Sequence, residues 1–457
     1  MPLLLLIAAC GGEPGEATGE DDLTAADSAV IAAVSAAQTR AYVHVSDAAP
    51  KQVGDALVAA AKRGLDVRAI LFAGKSWDAT WQLQQHLEDS GVDVDVRTDR
   101  PVDDVWAVTD ETALVPSGSG TQKKTGAESD ALAKKFTDIL DVKPSSHDGA
   151  PIAANTVVVH PMPDSGHDRI VALFSSAKTS IDLSIYQLQD RAVVSALMDA
   201  TKRHVTVRVM LEPKTVGAQN YDPVSKQLAA AGVSVQPTPP RFDSSRNVDH
   251  AKFAIVDKKE ILVATGNLVR SGLGGAMAQD YDNRDFWIED ARGASLEAGQ
   301  ALFDADWARK DTPANAVSTF VITPENADDA VGKLIDGAKK RIYLYNQSLD
   351  EDALVAKLTA AKHRGVDVQV LLGYQPGFGG PPPNQGTVDA LKQAGCKADF
   401  LRKHYLHAKA IVADDQVYIG SQNFTNGGLK NNRELGLVLD DAKAVDVVAR
   451  TFASDSQ

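Results

Sequence analysis

Apolar residues recur along the chain in three copies of one pattern, in which a helical stretch is followed by a strand. The copies read AAAKRGLDVRAIL from Ala59, DATKRHVTVRVML from Asp199 and AKHRGVDVQVLL from Ala361. In each copy, apolar positions at helical spacing lead into a short basic turn and then into a segment where apolar and polar residues alternate. The pattern therefore predicts an internal repeat of one helix–strand unit.

Each copy continues with a second helix, a second strand and a third strand. The second helix ends at a glycine in LQQHLEDSGVDVDV, SKQLAAAGVSVQPT and VDALKQAGCKADFL, and glycine commonly follows a helix end. The third strand ends in an aspartate and a closing helix carries a phenylalanine: Asp110 and Phe136, Asp257 and Phe303, Asp414 and Phe452. This alternation predicts an α/β fold of repeated αβα layers, with mainly parallel or mixed sheets covered by helices on both faces.

The repeat divides the chain into four parts. An N-terminal segment, 1–27, precedes the first copy at 28–142, and the second and third copies span 155–310 and 316–457. The stretches LDVKPSSHDGAPIAAN and RKDTPANAVS separate the copies, and their turn-forming residues are typical of linkers. A chain of 457 residues is longer than one core usually organises, which agrees with several units.

The formal net charge of the chain is -14 at pH 7. Proteins that bind nucleic acid over a broad surface rely on clustered Lys and Arg, which displace counterions. The charge therefore argues against nucleic acid as a partner, but it does not exclude a local basic pocket.

The N-terminal segment is interpreted as a targeting signal followed by a disordered tether. Leu3 to Ala9 are apolar, are too few to span a bilayer and end at Cys10. The stretch LLIAAC resembles the lipobox of bacterial lipoproteins, whose cysteine is lipidated, and the alternative is a chance apolar start. The resemblance implies a lipid anchor on Cys10, contact with a membrane surface and a location in the bacterial cell envelope outside the cytoplasm. GGEPGEATGEDD has the composition of a disordered tether.

Ionisable residues occupy the same place in copies two and three. The pattern H-x-K-x4-D is formed by His250, Lys252 and Asp257 and again by His407, Lys409 and Asp414. Residues i and i+2 of a strand project from one face, so the histidine and the lysine emerge together while the residue between them packs inward. The aspartate lies at the far end of the strand. We therefore assign Asp257 and Asp414 to turn and hydrogen-bond support.

A polar turn follows each of these strands. Copy three has the pattern G-S-x-N with Ser421 and Asn423. Copy two keeps the asparagine, Asn267, but has Ala264 and Thr265 in place of Gly-Ser. The asparagines are expected to be equivalent. Because copy two lacks Gly-Ser, its sequence does not decide whether it forms the same small-residue turn.

An N-x-[DE] pattern opens one more strand in both copies and supplies an acidic residue, Asp285 or Glu434. Such an acid can accept a hydrogen bond from a histidine ring, which fixes the tautomer and supports the imidazolium. The aspartate side chain is shorter, so Asp285 is expected to reach a histidine less securely than Glu434.

Together these motifs resemble the phospholipase D superfamily, which is named for its doubled HKD motif. The resemblance implies a phosphodiesterase in which one histidine forms a phosphohistidine and the other protonates the leaving alcohol, then activates water or another alcohol. It implies His250 as the nucleophile and His407 as the acid and base, with the reverse order left open. Four residues would hold the non-bridging oxygens: Lys252, Lys409, Asn267 and Asn423. The scheme requires no metal or other cofactor.

Copy one lacks these reactive groups. Alignment of the strand-ending aspartates places Asp103 and Val105 at the histidine and lysine positions, and Ser119 near the asparagine position. The chain before Phe136 is expected to be too short for the strand that carries the acid. Copy one is therefore interpreted as a degenerate repeat without an HKD motif.

Several phosphodiester reactions fit this set of residues. We expect first a phospholipase D, which hydrolyses the head group of a phospholipid substrate or exchanges it for another alcohol. The alternatives are a nuclease of the same superfamily and a phosphatidyltransferase such as cardiolipin synthase, in which transmembrane helices are frequent. A membrane-tethered binding scaffold is the alternative without catalysis. The sequence does not indicate the head group, the acyl chains or the oligomeric state.

Overall fold

The protein forms two compact units, divided between 141 and 142. The computed structural model describes residues 23–46, 51–72, 83–84, 86–87, 90–97, 106–117, 120–140, 149–213, 223–244, 247–269, 271–273, 282–374 and 382–457. Cys10 and most of the predicted tether lie outside these ranges, but the first helix begins at Ala25, inside the segment 1–27. Within the described ranges, no helix has both the length and the apolar character needed to cross a membrane.

The first unit contains one mixed sheet. Its helices are α1 (Ala25–Ala36), α2 (Lys51–Lys62) and α3 (Ala127–Leu140), and its strands are β1 (Arg40–Ser46), β2 (Asp66–Phe72), β3 (Asp93–Arg97), β4 (Trp106–Thr109), β5 (Thr112–Ser117) and β6 (Gly120–Thr125). The strand order is β3-β2-β1-β4-β5-β6. Asp103, Val105 and Ser119, which were predicted to replace the reactive residues, lie outside the described residues.

The second unit begins with repeat two. Its strands are β7 (Val157–Met162), β8 (Ser180–Ile185), β9 (Thr206–Leu211), β10 (Ser234–Pro237), β11 (Phe253–Val256), β12 (Glu260–Ala264) and β13 (Asn283–Asp290). Its helices are α4 (Asp168–Ser176), α5 (Arg191–Lys202), α6 (Pro223–Ala230) and α7 (Gly293–Trp307).

Repeat three completes the second unit. Its strands are β14 (Val321–Thr323), β15 (Arg341–Asn346), β16 (Asp367–Gly373), β17 (Lys397–Leu401), β18 (Tyr405–Leu406), β19 (Lys409–Ala413), β20 (Gln416–Gly420) and β21 (Glu434–Leu439). Its helices are α8 (Ala314–Thr319), α9 (Ala327–Gly337), α10 (Asp352–His363), α11 (Gln385–Gln393) and α12 (Ala442–Asp455).

The three sheets share one strand order. Repeat two runs β10-β9-β8-β11-β12-β13, and repeat three, taken from its far edge, runs β17-β16-β15-β19-β20-β21. In both repeats the first three of these strands are parallel and the others are antiparallel. The prediction of an α/β fold with mixed sheets is confirmed.

The first unit corrects one expectation. Strand β6 takes the place in its sheet that β13 and β21 take in theirs, although the chain before Phe136 was expected to be too short for such a strand. Ser117 pairs with Gly120 across the β5–β6 hairpin, so only two residues connect the strands. The position is therefore filled, but its sequence GTQKKT lacks the N-x-[DE] pattern.

Repeats two and three share a hydrophobic core. One cluster of buried residues joins β11 to β13 and α7 of repeat two with β19 to β21 and α12 of repeat three. The opposite face of the repeat-three sheet packs on α9, α10 and α11. Alternation along β19 divides the faces, since Ala410 and Val412 belong to the shared core while Ile411 and Ala413 belong to the other. The shared core places the predicted ranges 155–310 and 316–457 in one compact unit.

An aspartate after the third strand ties each repeat together. The Asp414 carboxylate accepts backbone N–H bonds from Lys339, Lys340 and Arg341 at 2.7, 2.8 and 2.9 Å. Asp257 accepts the equivalent bonds from residues 178 to 180, and Asp110 accepts those from residues 38 to 40. All three aspartates have a positive φ, between 50° and 54°, which aspartate tolerates better than most residues. The tie joins the start of one strand to the end of its neighbour.

We predict that Asp414→Ala lowers the free energy of unfolding by about 2–3 kcal/mol, because three backbone donors lose a charged acceptor. Denaturant unfolding measures the loss. The control is Asp415→Ala at the exposed neighbouring position, which is expected to change stability by less than about 0.5 kcal/mol. If the aspartate only supports the turn, kcat is retained under conditions where D414A is folded. A large loss of kcat in fully folded D414A contradicts that assignment.

Candidate active site

The two H-x-K motifs lie at the start of equivalent strands. His250 and Lys252 immediately precede β11, and Lys409 is the first residue of β19. The alanine between each histidine and lysine is buried in the shared core, as the alternation predicts. The lysine Nζ donates to the carbonyl oxygen of the histidine two residues earlier, at 2.5 Å in both repeats. Both lysine side chains are fully buried.

Each histidine is paired with the acidic residue of the other repeat. His250 Nδ1 lies 2.9 and 3.1 Å from the carboxylate oxygens of Glu434. His407 Nδ1 lies 3.0 and 3.2 Å from those of Asp285. Asp285 therefore reaches its histidine as closely as Glu434 does, which corrects the expectation of a less secure contact. The pairing makes one composite site to which both repeats contribute.

Backbone bonds between the repeats bring these groups together. The N–H of His250 donates to the carbonyl of Arg433 at 2.8 Å, and the N–H of His407 donates to the carbonyl of Arg284 at 3.2 Å. Strand β18, just before His407, pairs in parallel with the start of β13. Because Arg284 and Arg433 directly precede the two acids, these backbone hydrogen bonds place each acid beside the histidine of the other repeat.

The electrostatics favour neutral imidazoles in the free protein. Burial lowers the pKa of His250 to about 4, although Glu434 opposes the shift. Burial also lowers the pKa of His407, against the opposing effect of Asp285. A neutral ring that donates Nδ1–H to a carboxylate leaves the Nε2 lone pair available for attack on phosphorus.

The buried acids and lysines complete the charge balance. Burial raises the pKa of Asp285 and of Glu434, but the neighbouring histidine, lysine and hydroxyl groups together outweigh it and the pKa of each acid falls. Burial lowers the pKa of Lys409 to about 8, and it lowers that of Lys252 strongly. A phosphodiester anion acts in the opposite direction, because negative charge favours the protonated forms of histidine and lysine. Substrate binding therefore favours the protonated histidine that a general acid requires.

Hydroxyl groups hold both acids in place. Thr265 Oγ1 donates to Asp285 at 2.6 Å and accepts the backbone N–H of Phe286 at 2.9 Å. Ser421 Oγ accepts the backbone N–H of Leu435 at 3.0 Å and hydrogen-bonds Glu434. Thr265 thus supplies the hydroxyl that Gly-Ser supplies in repeat three, so the sequence departure preserves the contact.

The two asparagines retain hydrogen-bonding capacity. Asn267 and Asn423 each lie two residues beyond these hydroxyls, and Asn267 donates to Gln187 at 3.0 Å. The side-chain oxygens of both asparagines are buried and have no partner within the described part of the chain. Buried polar atoms are rarely left unpaired in the working state of a protein, which fits a ligand-binding position.

One aromatic residue near the site was missed in the sequence analysis. The Tyr186 ring packs edge-on against His250, with centroids 4.8 Å apart, and the Lys252 Nζ lies 5.2 Å from its centroid. Strand pairing places Gln347 at the equivalent position in repeat three, where it donates to the Tyr405 hydroxyl at 3.0 Å. The surroundings of the two histidines therefore differ, and alignment of SIYQL with YNQSL was the signal for it.

We predict that Glu434→Gln and Asp285→Asn each lower kcat for phosphodiester turnover by about 10²–10⁴, because an amide no longer fixes the histidine tautomer. Steady-state kinetics on variants with unchanged unfolding curves measures the effect. Asp440→Asn provides the control, since it makes the same acid-to-amide change at an exposed position just beyond β21. Full activity in either E434Q or D285N is incompatible with a composite site.

Comparison with known proteins agrees with this arrangement. The family model described as "Cardiolipin synthase, PLD-like domain" matches residues 170–307 and 331–456. Cardiolipin synthase of Clostridium perfringens (strain 13) is 22% identical over 330 residues, which cover 64% of this chain and 69% of that protein. Phospholipase D of Rickettsia bellii is 27% identical over 150 residues, which cover 30% and 68%.

A solved structure shares the fold. Phosphatidylserine synthase of Haemophilus influenzae superposes with a TM-score of 0.53 at 12% identity, over 67% of this chain and 87% of that one. The two segments matched by the family model coincide with repeats two and three, which contribute the paired histidines and acids. The chain therefore belongs to the phospholipase D superfamily, within the family of cardiolipin synthase PLD-like domains.

Proposed function

We propose that the protein is a phosphatidyltransferase of the cardiolipin synthase type, which moves the phosphatidyl group of one phospholipid to a hydroxyl of another. The reciprocal pairing of His250 with Glu434 and of His407 with Asp285 carries the proposal, because it holds two imidazoles in the tautomer that a two-step transfer needs. Phospholipid hydrolysis, the first expectation, becomes the second candidate.

In the first step, His250 Nε2 attacks the phosphorus of the donor lipid. The N–P bond forms as the bond to the head-group oxygen breaks, and His407 Nε2–H gives its proton to that oxygen. Glu434 stabilises the positive charge that develops on His250, in the way an acid supports imidazolium in other enzymes. The buried lysines, Lys252 and Lys409, with Asn267 and Asn423, neutralise and orient the non-bridging oxygens.

In the second step, the neutral His407 takes the proton of an acceptor hydroxyl. The acceptor oxygen attacks phosphorus, the N–P bond breaks and His250 returns to its neutral form. Donor and acceptor thus use the same two histidines in opposite order. If the acceptor is the glycerol hydroxyl of phosphatidylglycerol, the product carries two phosphatidyl groups on one glycerol, which is cardiolipin.

Two observations favour an alcohol over water as the acceptor. Most of the similar curated proteins are named cardiolipin synthase. The His250 and His407 side chains are only 12% and 10% exposed, so the phosphohistidine would form where bulk water has little access. Hydrolysis stays the second candidate because one relative is named phospholipase D.

The N-terminal parts of the chain enter as further proposals. We infer that the first unit is a degenerate copy of the same repeat, since its strand order and its Asp110 tie match those of the other copies. A lipid anchor on Cys10 in the cell envelope would bring the active site to its membrane substrate. Incorporation of labelled palmitate in cells, compared between the native chain and Cys10→Ser, tests the anchor separately from the chemistry.

We predict that the purified protein converts vesicles of phosphatidylglycerol into cardiolipin and free glycerol in equal amounts, because each transfer releases one glycerol. Chromatography of the lipids and an enzymatic glycerol assay measure both products. Phosphatidic acid as the sole lipid product contradicts the proposed transferase activity and supports phospholipase D activity. Cleavage of plasmid DNA without lipid turnover supports the nuclease, and silence on both substrates supports a scaffold.

We predict that His407→Asn still reacts once with phosphatidyl-p-nitrophenol. Nitrophenolate leaves without a proton, but the second step stalls because no base activates the acceptor. Stopped-flow absorbance is expected to show a burst of about one nitrophenolate per protein, followed by turnover at least about 10²-fold slower than in the native enzyme.

Two variants control this experiment. His250→Asn is expected to give no burst, and His404→Asn, at a histidine outside the repeated motif, is expected to turn over normally. A burst in H250N together with none in H407N reverses the roles of the two histidines.

A further inference from the structure

A buried arginine precedes each acidic residue of the site. Arg284 lies before Asp285 and Arg433 before Glu434, and their residues are 1% and 0% exposed. Their backbone carbonyls accept the N–H groups of the opposite histidines. Each arginine therefore accepts a backbone hydrogen bond from one histidine and directly precedes the acid that pairs with that histidine. Its side chain makes contacts outside the active site.

The guanidinium of Arg284 joins both repeats. Its Nε and Nη2 donate to the two carboxylate oxygens of Asp455 at 2.7 and 2.9 Å. Asp455 ends helix α12 of repeat three. Within repeat two, Nη1 donates to the carbonyl of Met162 at 2.7 Å and to Asp164 at 2.6 Å.

Arg433 makes the reciprocal connection. Its Nη2 donates to Asp306 at 2.9 Å, and Asp306 is the next-to-last residue of α7 in repeat two. Within repeat three, Nη1 donates to Glu325 at 3.0 Å and to the carbonyl of Thr323 at 3.4 Å. Both arginines thus bind a carboxylate that ends a helix of the other repeat and a carbonyl and an acid of their own repeat, although only Arg284 also uses its Nε, which donates to Asp455.

The sequence carries this second reciprocal pattern. Asp306 and Asp455 each follow the helix phenylalanine by three residues, as F-x-x-D. In the first unit the corresponding position, three residues after Phe136, is Ile139. The pattern therefore accompanies the reactive residues and is absent from the copy that lacks them.

We propose that Arg284 and Arg433 are positioning residues. Arg284 links the end of α12 to the pair of His407 and Asp285, and Arg433 links the end of α7 to the pair of His250 and Glu434. Buried ion pairs contribute little net stability compared with apolar side chains of the same size, so stability is a weak reason for two of them. A guanidinium instead fixes several acceptors in one planar geometry. The Asp455–Arg284 pair acts on His407, and the Asp306–Arg433 pair acts on His250.

The test is a nuclear magnetic resonance measurement on the free protein with ¹⁵N-labelled histidine. The Nδ1–H protons of His250 and His407, each bonded to a carboxylate, report the position of each ring separately. We expect Asp306→Asn to shift the His250 resonance and leave that of His407 unchanged, and Asp455→Asn to do the reverse. A displacement of this kind is also expected to lower kcat by about 10²-fold.

Matched controls separate positioning from stability. Asp164, the second acid bound by Arg284, has a side chain that is 55% exposed. Asp164→Asn is therefore expected to leave both resonances in place. Should an asparagine variant fail to fold, Asp306→Glu and Asp455→Glu keep the charge while displacing the guanidinium, and the same selective shifts are expected. Shifts of both resonances in every variant, or of neither, overturn the proposal. The measurement uses no substrate, so its outcome does not depend on which phosphodiester the enzyme takes.

Discussion

The hydrogen bond between the imidazole of one repeat and the carboxylate of the other is the contact on which the site depends. His250 needs Glu434, and His407 needs Asp285. A repeat alone has a histidine without its acid and an acid without its histidine. This requirement explains why repeats two and three share one core, since a hinge between them would separate both pairs together.

The site is nearly symmetric, but its chemistry requires two unequal roles. A nucleophile must be neutral when it attacks, whereas a general acid must first be protonated. Tyr186 is the nearest source of inequality, because it packs on His250 and beside Lys252, while its counterpart Gln347 binds a tyrosine hydroxyl. The two histidine side chains are almost equally buried, at 12% and 10% exposed, so they differ in the aromatic contact and not in access to solvent.

The sequence predicted what local patterns and repetition determine. The repeated strands, the H-x-K motifs and the acids could be placed because each follows a period or recurs at a fixed distance. Which acid meets which histidine could not be placed, since the partners are 184 and 122 residues apart in the chain. The short reach of Asp285 was misjudged for the same reason, because reach depends on where the opposite backbone lies. Arg284 and Arg433 were visible in NRD and NRE, but no local rule indicates that such arginines are buried.

The proposal that the first unit is a degenerate copy implies that fold and chemistry are separable in this repeat. Its Asp110 tie is complete within one copy, because the donors and the acceptor come from the ends of neighbouring strands. The reactive site instead needs two copies related by a two-fold exchange of acids. Such an exchange is complete with two members, repeats two and three, which supply both histidines and both acids. Selection can then retain the aspartate that holds the strands together without retaining the residues that only a pair can use.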